Sequence, residues 1–167
     1  QQQLSLALAR NDPVAGEAAK AEFFRRDRRL ASSNFSVGNA EVMAGNWMAA
    51  ADAFLRGFKN TMADPERRGF AALHAYGAAK LADVDLSDEL RKALKVLPEH
   101  AWSAQLLQGA LGEMDREQLL AAADEGSDYI ITGQRCEAYF ALAFAPGQTV
   151  AGRRSDLTAC RDTGMIG

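Results

Sequence analysis

Between Asn34 and Pro65 the chain alternates small and large residues at helical spacing. Gly38, Ala50 and Gly57 are the small positions; Trp47, Phe54 and Phe58 are the large ones. Small side chains let two helices approach closely, and large ones fill the gap to whatever packs next. Gly45-Asn46 breaks the stretch into two helices, and Asp64-Pro65-Glu66 closes it and opens the next. Such a hairpin cannot bury both its faces alone, so it must stack on similar units.

The remaining sequence reads as looser copies. Pro65 and Pro98 lie 33 residues apart and each is followed by Glu, close to a period of about 34 residues. Residues 67–82 form the next first helix, with Phe70, Leu73, Gly77 and Leu81 on one face. The loop 83–89 leads into a helix over 90–97. A third pair spans 101–111 and 116–124, the latter capped by Asp115. Tyr129-Ile130-Ile131-Thr132 reads as an apolar connector, with a short strand as the alternative. Helices follow over 134–145 and 153–163, and Gly164 is the natural stop. Ahead of Asn34, residues 4–11 and 14–31 are helical candidates. Arg25, Arg26, Arg28 and Arg29 suit the negative end of the second helix dipole and read as a solvated last turn.

Composition agrees with an all-α chain. Of 167 residues, 48% are hydrophobic and only 8% aromatic, with alanine prominent. That mixture favours close-packed helices over sheet. The net charge of −3 gives no general attraction to nucleic acid or to an anionic membrane. No apolar run reaches the roughly 18 residues of a membrane span, and no signal peptide is visible. The start at Gln1 fits a cleaved export signal as well as an internal fragment, so cytoplasmic and exported locations both stand. The apolar end at Met165-Ile166-Gly167, without a polar capping helix, leads to the expectation that the chain continues or that its last hairpin packs on something else.

The quoted residues resemble a tetratricopeptide-repeat protein. Val37-Gly38 stand at the family's Leu-Gly, Gly45-Asn46-Trp47 at its turn, and Ala50, Phe54, Gly57 and Phe58 along its second helix, with Pro65 three residues late. Asn34 replaces the first large residue. In the second unit Phe70, Leu73, Leu90, Ala93, Leu94 and Pro98 match, while His74 replaces the glycine. Residues 136–143 (CEAYFALA), with Gly152 and Gly164, are similar to the C-terminal repeats of bacterial tetratricopeptide proteins. The resemblance implies a right-handed α-solenoid of about eight helices in approximate units 4–31, 32–65, 66–98, 99–126 and 133–164. It also implies a concave groove that binds a protein or peptide. On the repeat register that groove is lined by Phe35, Asn39, Val42 and Met43, by Arg68, Ala71, Ala75 and Ala78, and by Ser103, Leu107 and Ala110. Of a carboxylate clamp only Asn39 is present, so an apolar helix or extended peptide is the expected occupant. The groove could equally be filled by the chain's own segments or by a second copy.

Nothing in the sequence calls for catalysis, a cofactor or a metal. There is no HExxH, zinc knuckle, phosphate loop or GxGxxG. Asp83-x-Asp85-x-Ser87 resembles the opening of a calcium loop, but Asp88 and Leu94 stand where that loop needs Gly and Glu, so helix capping is the reading. His74 reads as a hydrogen-bonded histidine between helices, and His100 as an exposed residue at a helix start. Two cysteines, Cys136 and Cys160, are too few for a framework; one bridge across a hairpin and two separate buried thiols both stand. The sequence therefore predicts a non-enzymatic interaction scaffold. The rivals are a self-assembling structural module and a regulatory domain attached to an enzyme outside these residues.

Overall fold

A computed structural model of the chain describes residues 33–59 and 64–164. The helical candidates over 4–11 and 14–31, with the four arginines of the second, and the 165–167 end lie outside the described residues. Among the described residues there are eight helices and no strand.

The first, α1, covers 33–43, and Gly45, at a φ of +75°, turns the chain. The second, α2 (Trp47–Lys59), follows, with Asn46 donating from Nδ2 to Glu41 Oε2 across the turn at 2.8 Å. A Cβ on Gly38 would overlap the Phe54 ring. The small residue is thus what lets α1 and α2 close on each other. The third helix, α3 (Pro65–Leu81), starts with Pro65 in its first turn and buries nine residues, from Gly69 to Ala79. A helix apolar on nearly every side belongs at the centre of the molecule, and α3 packs on α2, on α4 (Ser87–Leu94) and on α5 (Trp102–Leu111). Ahead of α4, Asp85 Oδ1 accepts from the Ser87 amide at 3.0 Å and its hydroxyl at 2.6 Å, so this loop works as a capping turn. Those bonds hold the Asp85 carboxyl below its ordinary pKa.

Gly112, in the left-handed region at φ +73°, ends α5. Asp115 and Gln118 then form a reciprocal capping box for α6 (Arg116–Ala122). The following α7 (Asp128–Ala143) begins earlier than its periodicity suggests. Tyr129, Ile130, Ile131 and Thr132 are neither connector nor strand but the first turn of this helix. The β-branched run is helical here behind an acidic residue at the helix start, Asp128, which suits the helix dipole, and the Thr132 hydroxyl is satisfied by donating to the Asp128 carbonyl at 2.7 Å. The last helix, α8 (Val150–Asp162), starts about a turn earlier than expected, because Thr149 Oγ1 accepts from the Gly152 amide at 3.0 Å. Gly164, at φ +79°, follows its end.

The helices alternate between a central set and an outer set. In the centre, α3 packs on α5 and α5 on α7, while α2, α4, α6 and α8 lie against their sequence neighbours. The central row is not open along one side, since Gly77 of α3 sits under Phe140 and Phe144 of α7. The main core joins Leu73 and Tyr76 of α3, Leu90 of α4, Leu106 and Leu107 of α5, Leu119 of α6 and Leu142 of α7. A second cluster joins Ala50 and Phe54 of α2 to Ala75 and Ala79 of α3, with Phe35 and Val42 of α1 against it. No residue of α8 belongs to either cluster.

Candidate functional site

The groove positions read from the repeat register divide into two groups. Ala71, Ala75, Ser103 and Leu107 are buried, as are Ala78 and Ala110. They form core, not surface, and the expectation that they face a partner is corrected. Ala71, Ala75 and Ala78 face α2, and the central helices enclose Ser103, Leu107 and Ala110. Ser103 abuts Gly69 across α3 and α5, where a Cβ on the glycine would collide with it. Leu107 packs in the main cluster among α3, α5 and α7. Ser103 Oγ is buried with no hydrogen-bond partner among the described residues.

The other group lies on or near α1. Phe35 is half-buried, its ring centroid 5.1 Å from that of Phe54 and 5.0 Å from that of His74. Val42 is half-buried against the second cluster. Asn39 is exposed, and Met43 is 88% exposed. Arg68 is half-buried; its Nε donates to the Phe58 carbonyl at 3.1 Å and its guanidinium stands over the Phe58 ring. That arginine therefore ties α3 to the end of α2. What remains accessible is the outer arc of α1, which includes Ser36, Val37, Asn39, Ala40 and Met43, with Ala44 of the following turn and Met48 of α2 beside it. The only charged residue of α1, Glu41, is half-buried and bonded to Asn46. An exposed helical arc with no charge is unlike an ordinary solvated face.

His74 departs from its expected role. Among the described residues its imidazole has ring contacts instead of hydrogen bonds: Phe35 and Phe140 at 5.0 Å and Phe54 at 5.3 Å. Loss of hydration lowers its pKa to about 4. His100 is exposed, as expected.

Three polar arrangements had no sequence signal. Glu66, near the start of α3, accepts from the amides of Trp102 and Ser103 at 3.0 Å each, and so caps α5 from a neighbouring helix. Trp102 Nε1 in turn donates to Glu137 Oε2 at 2.6 Å, and burial with the nearby Glu66 charge raises the Glu137 pKa. On α8, Asp156 is 2% exposed and accepts from Arg116 Nη2 and Gln148 Nε2, both at 2.6 Å. A cleft of about 280 Å³ adjoins this trio, with Gly109, Met114, Leu142 and Pro146 in its walls. Cys136 of α7 and Cys160 of α8 form a disulfide, which decides between the two readings of that pair. Among the described residues no group of three or more His, Cys, Asp or Glu is placed to hold a metal ion, and no helix is long and apolar enough to cross a membrane.

No family model matches the chain, and no curated protein or solved structure matches it significantly.

Proposed function

We propose that this chain is a helical-hairpin repeat protein of the tetratricopeptide type that binds a protein partner, with no chemistry of its own. The observation that carries this reading is the uncharged, exposed arc of α1, from Ser36 to Met43. Support for the repeat comes from the order of packing, in which each first helix meets the next: α3 on α5 and α5 on α7. The expected occupant is an apolar helix or strand-like peptide laid along α1, with Asn39 supplying a polar anchor. The binding surface proposed here is narrower than the register implied, because Ala71, Ala75, Ser103 and Leu107 are excluded by burial.

A photo-crosslinker placed at Met43 tests the reading in extracts of the source cells, with the same group at Arg154 on the exposed side of α8 as the comparison. Adducts to one other protein at Met43, absent at Arg154 and lost with Asn39→Ala, support partner recognition. Adducts to a second copy of the chain, with light scattering that rises with concentration, transfer the reading to self-assembly. Equal labelling at both positions refutes a specific site on α1.

A further inference from the structure

We propose that α8 is a redox-released latch, closed by the Cys136–Cys160 disulfide and opened when a dithiol reduces that bond. This stands apart from the partner reading, since it concerns the opposite end of the chain.

An ordinary amphipathic helix is held by apolar side chains. In α8 the two buried residues are Asp156 and Cys160. Its larger apolar side chains point outward: Val150 is 84% exposed, and Leu157 is exposed as well. What fastens α8 is the disulfide to α7, the Asp156 bonds to Arg116 and Gln148, and Arg153, whose Nε donates to the Ala143 carbonyl at 3.3 Å and whose guanidinium lies over the Phe144 ring. The polar fasteners are weak substitutes for a core. An ion pair with one partner half-exposed to water gives little once the cost of burying the other is met, and Arg116 is 50% exposed. The covalent bond is therefore the main restraint. The two sulfurs are buried with their residues, so a reductant reaches them during local opening of α8, the kind of excursion open to elements with few apolar contacts.

The chemistry balances with a small-molecule or protein dithiol as co-reactant. A thiolate of the dithiol attacks one sulfur of the bridge and the S–S bond breaks. The second thiol then displaces the mixed disulfide. The dithiol is oxidised to its disulfide, and two electrons and two protons pass to Cys136 and Cys160. Without the bond, α8 leaves and bares the α7 side that carries Cys136 and Ala143. Because α8 contributes nothing to either core cluster, α3, α5 and the rest of the core keep their packing.

Hydrogen exchange on the full chain, oxidised and after dithiothreitol, with thiols counted, tests this. On reduction, amides of residues 150–163 exchange faster by on the order of a hundredfold, the effect of losing a cross-link over a loop of this length, while those of 65–81 and 102–111 are unchanged. The double variant C136S/C160S reproduces that pattern without reductant. Continued protection of 150–163 with two free thiols overturns the latch. So does loss of protection throughout the chain, in the reduced protein or in the double variant, since the bond would then hold the whole fold. A bond that dithiothreitol fails to reduce under native conditions also overturns it.

Discussion

His74 shows how much one side chain is decided by its surroundings. A histidine in place of a small residue suggests a hydrogen bond between helices, yet the ring stands among Phe35, Phe54 and Phe140. The three phenylalanines are 35, 54 and 140 in sequence, and nothing local announces that they meet. The folded state favours the neutral imidazole, with a pKa of about 4 against 6.5 when free. Below pH 6.5 the unfolded chain takes up the proton first, so stability falls from there and levels off below about pH 4. The total loss is about 3 kcal/mol. Urea unfolding at pH 7 and pH 4.5 reads most of it. The same pair of measurements on His74→Phe, which keeps the ring and removes the titration, is expected to show a smaller difference. An equal difference would place the acid sensitivity elsewhere.

At the scale of elements, most of what was legible came from residues that punctuate helices. Gly45, Pro65, Asp115 and Gly164 mark boundaries through chemistry that acts within a few residues, and the structure places them at those boundaries. The α7 start was illegible because the apolar, β-branched run Tyr129 to Thr132 reads as a connector or a strand, whereas in the structure it continues into the helix it joins. The start of α5 was legible to within one residue, but what caps it was not. Its flanking residue Ala101 has no side-chain acceptor, and the cap arrives from Glu66, 36 residues away. The Pro-Glu pairs that suggested a repeat also differ in use: Pro65 opens α3 and Glu66 caps α5, whereas Pro98 lies in the turn before α5 and Glu99 is exposed. Glu66→Ala leaves two amides of α5 without acceptors and is expected to cost about 1–3 kcal/mol in a urea midpoint series. Glu99→Ala, with the same change of charge, is expected to stay within about 0.5 kcal/mol. Equal effects would mean that net charge, not the cap, is responsible.

Across the whole molecule, helix content was legible and the position of the helices relative to one another was only partly so. Alanine and glycine suit the wall of an open groove as well as a close helix contact, and composition cannot separate the two. Close helix contact is the observed role: Ala71 faces Gly57 of α2, Ala75 packs with Ala50 and Phe54 of α2, Ser103 abuts Gly69 of α3, and Leu107 lies in the main core. Leu107 gives the sharpest measurement of this difference. As a groove residue it could be shortened with little effect on folding, within about 0.5 kcal/mol. As a fully buried residue of the main core, Leu107→Ala removes packing from α3, α5 and α7 together and is expected to cost about 2–5 kcal/mol. Met43→Ala, on the exposed arc of α1, is the matched control and is expected to leave the urea midpoint unchanged. If the two variants unfold at the same denaturant concentration as the parent, Leu107 is not core and an open groove returns as the arrangement of the central helices. If only Leu107→Ala shifts, Leu107 is core, and the proposed partner surface is left with the exposed positions of α1; on that proposal an added charge at Met43 is expected to weaken partner binding without moving the urea midpoint.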